Sequence, residues 1–198
     1  MSDVVTLRAL AGLPGEPASL AESTLVMIDF QNTYTRGPLE LDGVASALEE
    51  GAALLDRARS AGIPVIHIQH DAGEGSPYDI RAEIGAISDP VSPRAGETVI
   101  VKNHPNSFLG TELDERLKAG GAENLVLAGF MTHMCINSTA RGAFNLGYTP
   151  TVIAAATATR ALPVTGEVVS AAALQIASLA ALADMFAVVV PDSTALPD

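Results

Sequence analysis

An alternation that repeats down the whole chain constrains it most. Short, continuous β-branched runs are each followed by a stretch with helical spacing. Strand-like runs stand at Thr24–Ile28, Ile63–Gln69, Thr98–Val101, Asn124–Ala128, Thr151–Ala154 and Phe186–Val190. Between them, residues 43–61 place Val44, Leu48, Ala52, Leu55 and Ala58 on one helical face, stopped by Gly62. Thr111-Glu112-Leu113-Asp114 predicts a capping box for a helix closed by Gly120-Gly121. Further helices are predicted over Met134–Leu146 and over 165–184, the latter with Thr165 as its N-cap. Runs that are apolar on both sides need cover on both faces, which a parallel sheet between helix layers supplies. Right-handed crossovers then favour an α/β fold: a single-domain, doubly wound (Rossmann-like) six-stranded parallel sheet with helices on both faces. One domain is expected over 1–198, with its core at about 24–190.

Composition fits that reading. Apolar residues make up 48% and charged residues 17%, enough to bury a core. The net charge of −12 excludes a phosphate-tracking surface, so no nucleic-acid partner is expected. Cys135 is the one cysteine, so no intramolecular disulfide points to an oxidising compartment. Residues 1–20 lack the continuous apolar core of a signal peptide. Gln175, Asp184, Ser170 and Ser178 interrupt the apolar stretch Val168–Val190, which reads as a buried helix and a strand, not a membrane span. A cytoplasmic protein acting on a small molecule, away from membranes, is the expectation. No cofactor is called for, since Gly73-x-Gly75 lacks the strand–helix context of a dinucleotide fingerprint.

In doubly wound sheets, ligands bind beyond the carboxyl ends of the strands. Asp29, Lys102 and Cys135 each follow a strand there. Singly, a lone cysteine is most often a small buried hydrophobe, an aspartate after a strand a turn residue, and a lysine at a strand end a solvated one. Together they make a chemical set: Asp29 can accept a thiol proton, and Lys102 can hold both groups electrostatically. The Gly- and Pro-rich segment 71–96 breaks the alternation and reads as a lid or as a surface or subunit contact.

Asp29-Phe30-Gln31-Asn32, Lys102 with Asn106-Ser107-Phe108, and Gly129-Phe130-Met131-Thr132-His133-Met134-Cys135 resemble the motifs of the isochorismatase-like cysteine hydrolases. The resemblance spans about Thr24 to Val190. It implies that Asp29, Lys102 and Cys135 form that superfamily's triad. A cis peptide at Phe130–Met131 is also implied, with the Met131 and Cys135 N–H groups as the oxyanion hole. Hydrolysis of an amide, carbamoyl or lactam C–N bond through a thioester would follow. A nucleophilic cysteine speaks against the vinyl-ether cleavage of isochorismatases themselves. Relatives are usually oligomers, so the resemblance also implies a homo-oligomer.

Nicotinamidase-like relatives carry an Asp-x-His metal motif after the second strand. Here the segment is His67-Ile68-Gln69-His70, whose histidines point to opposite faces of a strand. No metal site is expected. Where many relatives have an aspartate, this chain has Ala155, which should matter to structure only. Phe30, Gln31, Tyr34, His70, Phe108 and His133 are candidates for the substrate pocket, with Asn106 a further polar one. Arg36 and Arg81 are candidate partners for an anionic substrate. Two other readings stay open: a metabolite-binding or redox-reactive thiol protein of the same fold, with Cys135 a low-pKa thiolate, and a structural oligomer component with an inert cysteine.

Overall fold

A computed structural model describes residues 4–198, so residues 1–3 of the expected 1–198 unit lie outside the described residues. Six parallel strands form the main sheet: β1 (Ser23–Ile28), β2 (Val65–His70), β3 (Thr98–Lys102), β4 (Asn124–Phe130), β5 (Thr149–Ala158) and, last in the chain, β8 (Val188–Val190). Their spatial order is β3-β2-β1-β4-β5-β8, all neighbours parallel, so the winding reverses between β1 and β4. The expected six-stranded α/β sheet is therefore present, with its switch point beside the ends that carry Asp29 and Cys135.

After a short helix α1 (Leu7–Leu10), the long helix α2 (Val44–Ala61) covers one face of the sheet. Leu54, Leu55 and Ala58 of α2 pack there against Leu25, Met27, Val126 and Ile153. Helices α3 (Leu113–Ala119), α4 (Asn137–Asn145) and α5 (Ala171–Ala183) cover the other face. Leu113, Leu117, Ala140, Ala143 and Leu182 meet Val26, Ile28, Ile66, Ile68 and Leu127 on that side. Both faces are covered over the inner strands, which is why those runs are continuously apolar, whereas Val99 and Val101 of the edge strand β3 stay exposed. Among the described residues no helix is long and apolar enough to cross a membrane.

Three local expectations fail for identifiable reasons. Helix α5 begins at Ala171, capped by Ser170, whose Oγ accepts from Ala173 N at 3.2 Å. Residues 162–169 instead form a hairpin, β6 (Leu162–Val164) and β7 (Glu167–Val169). Thr165 and Gly166 make its turn at φ 48 and 86, the left-handed pair that a two-residue hairpin requires. At α3 no capping box forms: the Thr111 hydroxyl donates to Ser107 O at 2.5 Å and accepts from Leu113 N, not from Asp114 N, and the Asp114 side chain pairs with Lys118. Strand β5, expected to stop at Ala154, runs on to Ala158. Leu127 faces Val152 and Gly129 faces Thr157, so β5 gains three residues on β4 between those points. Its end thereby reaches the level of the turn after β4.

Candidate active site

Each of the three reactive side chains is delivered by a strand end. Asp29 closes β1 at φ 51, a left-handed conformation that aspartate tolerates better than most residues. Lys102 is the last residue of β3 and pairs with His70 of β2. Cys135 lies in a π-helical turn, Thr132–Ile136, between β4 and α4. Before that turn, Gly129 sits at φ 133, and a Cβ there would lie 1.8 Å from Ile28 O. Only glycine lets β4 pass the end of β1 so closely. The Phe130–Met131 peptide is cis, as the resemblance implied, and Met131 O accepts from the N–H groups of Met134 and Ile136.

Lys102 is the hub of the site. Its Nζ stands 2.7 Å from Asp29 Oδ2, 3.3 Å from Cys135 Sγ and 3.2 Å from His70 Nδ1. Neither Asp29 oxygen completes a well-angled hydrogen bond within the protein, which leaves the carboxylate able to take a proton. Burial pushes the Asp29 carboxyl above its ordinary value, against the opposing pull of Lys102. Burial, and then the Asp29 charge, pushes the Cys135 thiol up to about 12, while Lys102 pulls the other way. The resting site therefore holds a neutral thiol beside a Lys102–Asp29 ion pair. The low-pKa thiolate assumed for a redox-reactive protein is not what this environment produces.

The surrounding candidates divide. His70 is half-buried beside Lys102; burial and then the Lys102 charge lower its pKa, so its Nδ1 serves as an acceptor. Tyr34 is buried next to the triad, its pKa raised by burial and then by the Asp29 and Cys135 charges. His133 bonds through Nδ1 to Thr159 Oγ1 at 2.6 Å. Phe30 is a core residue instead, edge-on to Phe130 at 4.8 Å and pressed on Gly51 of α2. Phe108 stacks on Tyr148 at 5.9 Å, on the face of the sheet that α3, α4 and α5 cover. The Gln31 amide is wholly occupied by backbone: it donates to His70 O and Gly85 O and accepts from His70 N. Asn106 accepts from Phe108 N and lies against Gly142. Arg36 pairs with Glu83, and Arg81 with Asp71 and Asp79.

Sequence reasoning missed Tyr78, the sole aromatic residue of the 71–96 segment. Its hydroxyl is 3.3 Å from that of Tyr34, and its ring meets His70 edge-on at 4.9 Å. The segment is clamped over the strand ends. Thr33 donates to Pro77 O and Ile84 O, and Gln69 joins Gln31 on Gly85 O. His67 turns to the other side of β2, 3.0 Å from Glu97. Among the described residues no group of three or more His, Cys, Asp or Glu side chains converges as a metal site.

The isochorismatase domain model matches residues 23–191. This chain belongs to the isochorismatase family. The crystal structure of an isochorismatase from Pseudomonas putida KT2440 superposes with a TM-score of 0.94 at 37% identity, covering 98% of this chain and 99% of that one. A secreted isochorismatase effector of Verticillium dahliae is 34% identical over 93% of this chain and 96% of its own length. The ureidoacrylate amidohydrolase RutB of Stutzerimonas stutzeri is 32% identical, over 73% of this chain and 75% of its own. The family is one of hydrolases, and amidohydrolases are among its members.

Proposed function

We propose that this protein is a metal-independent cysteine amidohydrolase, cleaving a C–N bond of a small molecule through a thioester. One observation carries the reading: the Lys102 ammonium lies between Asp29 and Cys135, within 2.7 and 3.3 Å of them. The amidohydrolase relative supports the bond type.

Asp29 takes the thiol proton as Cys135 Sγ attacks the amide carbonyl carbon. Because the resting thiol is held neutral, deprotonation and attack must be coupled, and an adjacent carboxylate is the group suited to that. The carbonyl oxygen becomes an oxyanion held by the N–H groups of Met131 and Cys135, a donor pair worth about 3 kcal/mol or more of barrier. Protonated Asp29 returns its proton to the leaving nitrogen, and ammonia or an amine departs. Asp29 then deprotonates a water, which opens the thioester and frees the acid and the thiol. Lys102 keeps Asp29 charged in a buried setting and steadies the transient thiolate. His70 sits behind Lys102 as a neutral acceptor and positions it.

The reading includes a reducing, cytoplasmic setting, which suits the single thiol, and a homo-oligomer. The test is ammonia release from a panel of small amides by wild type and by Cys135→Ala. Equal activity of the two proteins would remove the nucleophile assignment. Mass spectrometry of a quenched reaction should show an acyl adduct on Cys135.

A further inference from the structure

The chain beyond β5 holds a surface that nothing described above covers. From Ala161 to Ala183 one residue in 23 is charged, Glu167, although 17% of the whole chain is. The stretch is not buried. Helix α5 turns Ala172, Ala173, Ile176, Ala177, Ala180 and Ala181 to solvent, with Ile176 70% exposed. A helix without charge on any side is ordinarily enclosed. In the hairpin before it, residues 163–168 are all exposed, Val168 to 72% and Val164 to 51%. Among the described residues no hydrogen bond ties 161–169 to the rest of the chain, and the hairpin is bonded only across its own two strands. A lone two-stranded ribbon is marginal in water, so this arm needs a surface to lie on.

A socket lies beside the arm. An open cavity of about 410 Å³ separates the start of α2 from the start of α5, lined mostly by alanine: Ala47, Ala155, Ala158, Ala171 and Ala172. Gln175 of α5 also lines it. Its Nε2 donates to Thr157 O and Oγ1, at 3.3 and 2.9 Å, while its Oε1 is buried without a donor. A buried acceptor left unmet points to a missing donor, and the outer edge of a two-stranded ribbon carries unpaired N–H groups. Ala172 belongs both to the cavity and to the outward stripe of α5, so arm, socket and helix face are continuous. An arm and a socket side by side suit an isologous contact, in which the arm of each copy fills the socket of the other. Charge agrees: at −12 two copies repel one another over most of their surface, and this uncharged face is where they can approach. Size agrees as well. Residues 161–170, the outward stripe of α5 and the cavity rim come to about 20 residues, the number a stable interface takes from each side.

We propose that two copies of this chain pair about a two-fold axis through α5 and the 161–170 arm. Each arm lies in the other copy's cavity, with an outer-edge N–H of the ribbon meeting Gln175 Oε1. The contact also braces the active site: Thr159, which holds His133, stands two residues before the arm, so seating the arm fixes that end of β5. The inference rests on the homo-oligomer reading and is independent of the reaction.

The test is sedimentation velocity at micromolar concentration. Val168→Glu on the arm, Ile176→Glu on the helix and Ala172→Trp in the socket each change a side chain exposed in the single chain, so all three should keep the wild-type circular dichroism. Wild type should sediment as a dimer, and each variant should raise the dissociation constant by roughly 100-fold or more. Val99→Glu, on the exposed edge strand β3, should leave the dimer intact. A dimer that survives both Val168→Glu and Ile176→Glu overturns this surface and leaves a homo-oligomer standing through another face. A dimer that survives Ala172→Trp overturns the seating of the arm in the socket. A wild type that is monomeric at these concentrations overturns the homo-oligomer reading itself, and this contact with it.

Discussion

Lys102 and Asp29 form an ion pair at 2.7 Å in which both side chains are 0% exposed. Two opposite charges enclosed this way depend on each other, because removing either strands the other in a medium that cannot solvate it. Lys102→Met should therefore abolish hydrolysis and destabilise the fold by about 3–5 kcal/mol. Lys102→Met combined with Asp29→Asn should recover a good part of that stability and none of the activity. Urea melts of wild type and the two variants check this, and a double variant no more stable than Lys102→Met would contradict it.

The thiol gives a pH prediction. Its folded value, about 12, lies above the ordinary 9.0, so the folded state holds the proton more tightly than the unfolded state does. Stability from this group is complete below pH 9 and is lost as pH rises toward 12. Wild type should lose stability over that window faster than Cys135→Ala. Thermal melts across it would show the divergence.

Glu97 works at the other end of the scale. Its hydrogen bonds from Arg59 come first among the causes that hold its carboxyl at about 2, below the ordinary 4.5. A depressed carboxyl stabilises above pH 4.5, and the contribution disappears as pH falls toward 2. Glu97→Gln should flatten the acid limb of the stability profile in that window. Acid-induced unfolding followed by circular dichroism measures it.

Gln31 secures the cover over the site. Gln31→Leu would leave His70 N, His70 O and Gly85 O without that amide, at a cost of about 1–3 kcal/mol. The loss should be local, with faster proteolytic nicking within residues 71–86 than in wild type. A protein equally resistant to limited proteolysis would show that the segment is held by its other bonds alone.

Much of this architecture was legible in sequence because its determinants are local. A strand buried on both faces has to be apolar throughout, and the residue after it stands at the sheet rim, so Asp29, Lys102 and Cys135 could be placed together from order alone. Long-range partners leave no such periodic mark. Gln31 looks like a substrate ligand until His70 and Gly85, 39 and 54 residues away, take its amide. Phe30 beside a motif residue looks like a pocket wall until α2 closes on it. Thr165 passes for a helix cap because nothing nearby announces a threonine at φ 48; only the following Gly166 hints at the hairpin. Tyr78 gains significance only once its loop is brought to the strand ends beside Tyr34 and His70.

The three residues that β5 gains on β4 act as a spacer. They fall in Ile153–Ala156, a stretch with no charged side chain, and they set how far the strand overshoots before Thr159, the partner of His133, is reached. Shortening that stretch by one residue would turn the following side chains to the other face of the sheet. Removing two would keep the facing and draw Thr159 back from His133 by about 6–7 Å, the rise of two strand residues. The sheet thus contains a length gauge, adjustable in steps of two residues, that leaves the nucleophile, its base and their lysine where they are.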